Sequence, residues 1–399
     1  MTSVRAAATA LFAVDGFVFA TWAVRIPAIK AATHASPAAL GLALLGLSGG
    51  AIATMTISGA LCRRFGAGRM TVGSAIALSL ALLLPPLARS AVGLALALLL
   101  FGAAYGSLNV SMNSVAISVV AALRRPVMPS FHAAWSFGGL AGAALGGLLA
   151  MRLAPLPHFA LVCAAGLTVT AWWGRTLLTH PLAAAGAVTG ELPDPREGGG
   201  ADGISLDRDI SHGRRGGLGL GRGWRVVLLF GLIALCASYG EGAIGDWGAL
   251  HLRQDLGAGP RLAAAGYAAF ALAEACGRLA GSWLLVRLGQ TRVLVLGGLT
   301  ACAGMLAAAL APSVPVALIG FALTGLGVAN MFPAAMTRAG LVAGPNGVAA
   351  ASTLGYAGFL LGPPTIGFLA TAVGLSTGLT TVSVLALVAA LLAWLGGGS

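Results

Sequence analysis

Long apolar segments with almost no charged residues repeat along nearly the whole chain, and they limit its possible folds more than any other feature. Only 9% of the 399 residues are charged and 58% are hydrophobic, whereas a soluble domain carries about 25% charged residues. Because so few charged side chains cannot cover a water-facing surface, we expect lipid to surround most of the protein. The composition therefore excludes a soluble enzyme and a disordered chain.

The formal net charge of +12 does not indicate a nucleic-acid partner. The basic residues are spread between the apolar segments and form no dense stripe, so we expect no nucleic-acid binding. The five cysteines are far apart and form no metal-ligand spacing, which predicts no metal site. The sequence also lacks the fingerprints of ATP and dinucleotide binding. We therefore expect no cofactor, no catalytic residues and no enzymatic activity.

A helix that crosses the hydrocarbon core of a bilayer needs about 20 mostly apolar residues. Twelve segments meet this requirement, so the predicted fold class is all-α: a polytopic membrane protein with 12 transmembrane helices. The predicted spans are 6–26, 37–61, 69–88, 92–121, 129–151, 157–178, 224–246, 261–286, 291–311, 314–338, 347–370 and 374–395.

One segment, 181–222, interrupts the apolar pattern. It contains "DPREGGGADG" and "HGRRGGLGLGRG", and it is rich in glycine, proline and acidic residues, as flexible solvated linkers are. We therefore predict an N-terminal six-helix bundle at 1–180, a cytoplasmic linker at 181–222 and a C-terminal six-helix bundle at 223–399.

Basic residues flank the predicted spans unequally. With the N-terminus in the cytoplasm, the cytoplasmic flanks carry Arg5, Arg63, Arg64, Arg69, Arg124, Arg125, Arg175, Arg222, Arg225, Arg287, Arg292 and Arg338, and the outer flanks carry only Arg25, Lys30, Arg89, Arg152, Arg253 and Arg261. Since cytoplasmic loops carry the excess of Lys and Arg, this bias predicts that both termini are cytoplasmic. The expected location is the cytoplasmic (inner) membrane.

The two predicted bundles share sequence features at a nearly constant offset. "GGLAGAALGGLLA" in the fifth span aligns with "GFLLGPPTIGFLA" in the eleventh at an offset of 220 residues, and "RFG" at 64–66 aligns with "RLG" at 287–289 at an offset of 223. Such internal repeats are typical of transporters whose halves move about a binding site in the middle of the membrane.

With these features the chain resembles the major facilitator superfamily along essentially its whole length. The family's loop motif G-x-L-x-D-R-x-G-R-R-x is matched by "GALCRRFGAGR" at 59–69, except that Arg63 stands where the family has an acid that helps to latch the cytoplasmic gate. "MPSFHAAWSFGGLAGA", "EGAIGDW" and "GYAGFLLGPPTIGF" are similar to the YbjJ-like branch, near the fucose permeases. The resemblance implies two pseudo-symmetric six-helix bundles and a gating loop that includes Gly59, Arg64, Gly66, Arg287 and Gly289.

Acidic residues within the spans are candidates for binding protons, because an ionisable group in a bilayer needs a partner or a wet cavity. Asp15 lies about 14 Å into the first span; it either binds a proton or solute, or pairs with an arginine or a backbone group. Glu274 and Arg278 are four residues apart, which allows an ion pair that is either permanent or exchanged with solute or proton. With Glu241, near the outer end of the seventh span, the proton-coupling candidates are Asp15, Glu241 and Glu274.

Other polar and aromatic residues are candidates for lining a substrate cavity. Asn109 and Asn113 share a helix face, and their amides can bind either a solute or a neighbouring helix. His132, near the start of the fifth span, either senses protons or has a structural role. The substrate-cavity candidates are Trp22, Asn109, Asn113, His132, Trp135, Arg278, Asn330 and Tyr356.

Together these features predict a secondary active transporter that acts by alternating access and is coupled to protons. The expected substrate is a small polar organic solute. A sugar is favoured by the low aromatic content of 7%, the polar amides and the resemblance to fucose permeases. Proton-driven efflux of a metabolite or drug is an open alternative, and a non-transporting membrane sensor or scaffold is another. The expected partners are the solute, protons and membrane lipid, with the protein as a monomer.

Overall fold

The computed structural model describes residues 2–35, 37–150, 152–179 and 220–396, which form a bundle of long helices. We number them α1 (Thr2–Ala32), α2 (Pro37–Phe65), α3 (Ala67–Ala81), α4 (Ala91–Leu123), α5 (Met128–Ala150), α6 (Pro155–Thr179), α7 (Leu220–Ala243, continued by a π-helical turn, Ile244–Gly248, and by Ala249–Gln254), α8 (Pro260–Leu288), α9 (Gln290–Ala309), α10 (Val314–Val328), α11 (Met331–Val373) and α12 (Leu375–Gly396). The all-α membrane fold predicted from the sequence is confirmed.

Apolar side chains cover the outside of this bundle. Large hydrophobic residues are exposed on many helices, among them Val92, Trp172, Phe368 and Trp394. A surface of this kind is stable only in contact with lipid, where each backbone amide must bond within its own helix. Eleven helices in the described residues are long and apolar enough to cross a membrane, so the chain is a multi-pass membrane protein.

The longest of these, Val314–Ala370, is a single apolar stretch that covers the two predicted spans 314–338 and 347–370. The chain reverses inside it, at Ala343 (φ −128°) and Gly344 (φ 57°). Gly347 packs against the carbonyl group of Ala339, although a continuous helix would separate these residues by about 12 Å. The stretch therefore crosses the membrane twice, and the twelve predicted spans are all present.

The helices pack as two sets with the same internal arrangement. In the N-terminal set (α1–α6), α1 packs on α5, α2 on α4 and α3 on α6; in the C-terminal set (α7–α12), α7 packs on α11, α8 on α10 and α9 on α12. Between the sets, α2 packs on α11 and α5 on α8, and α4 also contacts α11. Of the predicted linker, 181–219 lies outside the described residues, and 220–222 belongs to the first turn of α7.

Aligned glycines have the same structural role in the two sets. A Cβ atom on Gly138 of α5 would lie 2.8 Å from the carbonyl carbon of Ala13 on α1, and one on Gly358 of α11 would lie 2.8 Å from the amide nitrogen of Tyr239 on α7. Only glycine lets the helix backbones approach this closely. The third aligned pair differs, because Gly147 faces open space whereas Gly367 packs on Trp247.

Two further aligned glycines form tight turns at one end of the bundle. Gly66 (φ 89°) joins α2 to α3, and Gly289 (φ 78°) joins α8 to α9; a positive φ favours glycine at both positions. We call the end that carries these turns and the reversal at Gly344 the turn end. The opposite end, which carries the connections at 33–35 and 255–259, is the far end.

Candidate substrate and proton site

Arg278, on α8, lies between two carboxyl groups in the middle of the bundle. Its Nη2 atom donates a hydrogen bond to Glu274 Oε1 at 2.6 Å. The same nitrogen lies 3.9 Å from Oε2 of Glu241, on α7. Arg278 is 4% exposed and Glu274 5%, so water screens their attraction only weakly. The α7–α8 pair of helices thus places one guanidinium between two acids, as the four-residue spacing of Glu274 and Arg278 predicted.

The same arginine also contacts the N-terminal set. Its Nη1 atom donates to Oγ of Ser136, on α5, at 2.6 Å. Its guanidinium lies over the indole ring of Trp135, 5.9 Å from the centroid, within the range of a cation–π interaction. Arg278 therefore joins α8 to α5 as well as neutralising an acid on its own helix.

Asp15, on α1, is fully buried with a free oxygen atom. Its Oδ2 accepts a hydrogen bond from Nε1 of Trp135 at 2.9 Å. Its Oδ1 has no hydrogen-bond partner among the described residues, although buried polar atoms are nearly always paired. Trp135 lies between this carboxyl group and the guanidinium of Arg278, so the sequence candidates Asp15, Trp135 and Arg278 belong to one network.

A row of aromatic rings extends from Trp135, the hydrogen-bond partner of Asp15. Phe19 follows one helical turn later on α1, and its ring centroid lies 6.5 Å from that of Trp135 and 5.3 Å from that of Tyr105, on α4. Tyr105 meets Tyr356, on α11, edge to face at 6.0 Å. The row therefore contains rings from α1, α4, α5 and α11, and its α5 member, Trp135, contacts the carboxyl group.

Asn109 connects α4 to α11 next to these rings. Its Nδ2 atom donates to the hydroxyl oxygen of Tyr356 at 3.4 Å, and its Oδ1 accepts from Oγ of Ser352 at 3.1 Å. Asn113 is one turn further along and is also buried, but its Nδ2 bonds back to the carbonyl oxygen of Asn109. Of the two amides, Asn109 bridges the two sets and Asn113 stabilises its own helix.

The hydrogen bonds and ring contacts described for the other candidates from the sequence are with uncharged groups. Trp22 is buried against Phe101. Asn330, in the short connection between α10 and α11, donates to the carbonyl oxygen of Gly277 at 3.0 Å. His132 is packed among rings that include Phe12 at 5.3 Å and Phe332 at 5.6 Å, and its Nε2 has no partner among the described residues.

The predicted gating loop has two kinds of residue. Gly59, on α2, packs on the part of α11 that follows the reversal at Gly344. A Cβ atom on Gly59 would lie 2.8 Å from the Pro345 carbonyl oxygen and from Asn346 Oδ1. Gly66 and Gly289 form the turns described above. Arg64 and Arg287 are exposed, and each lies over a ring of its own helix, Phe65 at 5.4 Å and Trp283 at 5.1 Å respectively. Of these residues, Gly59 makes the contact between the sets.

Contacts between the two sets extend from this network toward the turn end. Gly340 packs on Ile117 of α4, and Gly281 packs on Pro129 of α5. At the far end, Arg25 donates to His158 Nδ1 at 2.8 Å within the N-terminal set, and His251 contacts the carbonyl oxygen of Ala308 at 3.0 Å within the C-terminal set. The described contacts therefore join the two sets at the turn end. At the far end, the bonds of Arg25 and His251 connect helices of the same set.

Sequence reasoning missed four residues of the site: Phe19, Tyr105, Ser136 and Ser352. Each of them lies four residues from a candidate, as Phe19 does from Asp15, Tyr105 from Asn109, Ser136 from His132 and Ser352 from Tyr356. A systematic search one helical turn from each candidate would have found all four. The partner of Ser136 on α8 is a separate matter, because no local pattern indicates it.

The chain is similar to known membrane transporters over nearly its whole length. Residues 230–397 match the family model of the Major Facilitator Superfamily. The "Uncharacterized transporter y4wD" of Sinorhizobium fredii is 33% identical over 90% of this chain and 89% of its own length. An uncharacterized MFS-type transporter of Yersinia pestis is 32% identical over 95% of this chain and 92% of its own length.

Solved structures of the same fold are more distant in sequence. The transporter FucP in its outward conformation aligns with a TM-score of 0.74 at 16% identity, over 97% of both chains. The proton:xylose symporter XylE aligns with a TM-score of 0.76 at 13% identity, over 98% of this chain and 95% of that one. These two similarities support the fold.

Proposed function

This chain is a transporter of the major facilitator superfamily, and from that premise we propose that it carries a small polar organic solute across the membrane in symport with a proton. The halves reorient about the buried network, so that the site opens to each side in turn. In this proposal the proton binds at Glu241, and the solute binds beside Asp15.

The charge balance around Arg278 is the observation that carries the proposal. Glu274 and Glu241 together supply two negative charges when ionised, and Arg278 supplies one positive charge within 2.6 Å and 3.9 Å of them. A net charge at this depth costs about 3 kcal/mol or more, and one bound proton removes it. Glu241 has the longer contact and the more exposed side chain, 18% against 6% for Glu274, so water can deliver the proton to it.

Proton binding at Glu241 would change the contact between the two sets. When Glu241 is neutral, Arg278 is free to bond to Glu274 and to Ser136 on α5. When Glu241 loses its proton, a second carboxylate attracts Nη2 of the same guanidinium, and a shift of the guanidinium toward Glu241 would lengthen the Nη1 bond to Ser136. The protonation state of Glu241 on α7 therefore changes the strength of the Arg278–Ser136 contact between α8 and α5. Coupling between a proton and a conformational change requires such a link.

Two separate sites favour symport over exchange. Symport requires the proton and the solute to be bound together, whereas competition for one group produces exchange. Here Trp135 and Arg278 lie between the Asp15 carboxyl group and Glu241. Two structural neighbours are described as a fucose:proton symporter and a proton:xylose symporter, which adds support at the level of the fold.

The proposal includes the orientation that the arginines predict. The turn end then faces the cytoplasm, both termini are cytoplasmic, and the protein works as a monomer in the inner membrane. In the conformation described here, the contacts between the sets at the turn end would close the cytoplasmic side.

Reconstituted vesicles with a pH-sensitive dye inside test the proposal. Addition of a transported solute, from a panel of L-fucose, D-xylose, glucosamine and benzylamine, should carry protons inward with the solute. Glu241→Gln should abolish this proton movement and keep counterflow of the same solute. The neutral glutamine side chain mimics a permanently protonated Glu241, which cannot release a proton. Asp246→Asn, an exposed acid on the same helix, is the matched control and should retain both activities.

Two results would contradict the assignment. Proton movement that persists in Glu241→Gln would remove Glu241 from the coupling step. Absence of flux and counterflow for every solute of the panel, with folded wild-type protein, would contradict transport of small polar solutes and favour a sensor or scaffold.

A further inference from the structure

The carboxyl group of Asp15 has no basic partner in the network. Arg278, the guanidinium of the network, is engaged by Glu274, Ser136 and Glu241. Asp15 receives one hydrogen bond, from the neutral indole of Trp135, and its Oδ1 is unpaired among the described residues. A buried carboxylate in this situation requires either a proton or a cation that arrives from outside.

The charge of the site disfavours an anionic solute. The network contains three carboxyl groups, those of Asp15, Glu241 and Glu274, against the single guanidinium of Arg278. An acid brought into the site would face this excess of negative charge without a free arginine to bind it. Attraction at low dielectric instead favours a solute with one positive charge.

The aromatic rings near Asp15 favour a cation over a neutral polyol as the bound solute. The rings of Phe19, Tyr105, Trp135 and Tyr356 form a row with centroid distances of 5.3 to 6.5 Å, and Trp135 in this row bonds to Oδ2 of Asp15. Ring faces attract ammonium groups, and a group of rings next to a carboxylate is the arrangement that recognises amines. The amide of Asn109 and the hydroxyls of Tyr356 and Ser352, which lie next to these rings, already bond to one another.

We propose that the transported solute is a small organic cation whose protonated amine binds Oδ1 of Asp15 inside the rings of Phe19, Tyr105, Trp135 and Tyr356. This inference rests on the proposed transport function and names its substrate class. The amine supplies the positive charge that the carboxyl group lacks, the rings enclose its alkyl carbons, and the proton of the coupled step remains at Glu241.

Thermal unfolding of the detergent-purified protein, without any gradient, tests this proposal with matched probes. Benzylamine is compared with benzyl alcohol, glucosamine with glucose, and benzoate serves as the anion. The two amines should raise the unfolding temperature at millimolar concentration, and their neutral partners and benzoate should not. Asp15→Asn should abolish the rise, whereas Asp246→Asn should retain it.

A second pair of variants keeps the test decisive if Asp15→Asn unfolds. Tyr105→Leu removes a ring and should weaken amine binding about tenfold, the effect of a desolvated cation–π contact. Tyr105→Phe retains the ring and should bind amines more tightly than Tyr105→Leu. Equal effects of glucose and glucosamine, amine binding that survives in Asp15→Asn, or no stabilisation by either amine would each overturn the proposal.

Failure of this inference can be told apart from failure of the proposed function. Proton-coupled flux of a neutral sugar that depends on Glu241 would overturn the substrate class and leave the symporter intact. Amine binding that depends on Asp15, in a protein that shows neither flux nor counterflow, would uphold the site and overturn the transport function.

Discussion

Arg278 shows at the scale of a single residue how a charge is kept inside this bundle. Its guanidinium uses a geometry that no lysine could reproduce, with one nitrogen on Glu274 and another on Ser136, both at 2.6 Å, and its face toward Trp135. Planar, multidentate contacts of this kind are the reason why arginine is preferred at buried ion pairs. The residue therefore has a structural role in addition to the proposed coupling role.

Removal of Arg278 should destabilise the protein more than removal of the whole pair. Arg278→Met leaves two buried carboxyl groups without a counter-charge and should cost about 3–5 kcal/mol of unfolding free energy. The double variant Arg278→Met/Glu274→Met should recover much of this loss, because an apolar pair replaces the ion pair. Unfolding in mixed micelles measures both; a double variant that is as unstable as Arg278→Met would contradict the assigned pair.

Close helix packing explains the architecture at the scale of the elements. In each set, the first helix packs on the fifth through glycines that allow backbone contact, Gly138 on α5 and Gly358 on α11. This contact has no room for a side chain. In lipid the hydrophobic effect does not drive helices together, so close backbone packing of this kind holds them. The aligned glycines therefore specify which helices become neighbours in both sets.

A methyl group at the aligned glycines should destabilise both sets. Gly138→Ala and Gly358→Ala place a Cβ atom against the backbone of α1 and of α7, and each should cost about 1–3 kcal/mol. Gly147→Ala, on the same helix as Gly138, meets open space and should be neutral or slightly stabilising. Thermal unfolding of the three variants in one detergent provides the measurement, and equal losses in all three would refute the packing argument.

The elements could be predicted from the sequence much better than their partners. Apolar length fixed the twelve spans, because a membrane requires it, and the spacing of Glu274 and Arg278 predicted their pairing. The bond from Arg278 to Ser136 joins residues 142 positions apart, and no local pattern encodes such a distance. For the same reason the sequence did not indicate that Trp22 is buried against Phe101, or that Tyr105 and Phe19 lie beside Asp15.

The contacts between the sets define the state of the whole molecule. Gly59 on Pro345, Gly340 on Ile117 and Gly281 on Pro129 join the sets between the network and the turn end. At the far end, the bonds of Arg25 and His251 remain within their own sets. Each set can therefore move as one body, and the network, where Arg278 meets Ser136, is the natural pivot.

Distance measurements between spin labels test this central claim most directly. In a background without the five native cysteines, one labelled pair replaces Arg64 and Arg287 at the turn end, and another replaces Arg152 and Arg253 at the far end; all four side chains are exposed. The labels are compared at acidic and alkaline pH, with and without benzylamine, and in Glu241→Gln. We predict opposite changes, so that distances at the turn end lengthen as those at the far end shorten. Changes of the same sign at both ends, or fixed distances in every condition, would contradict alternating access about the network.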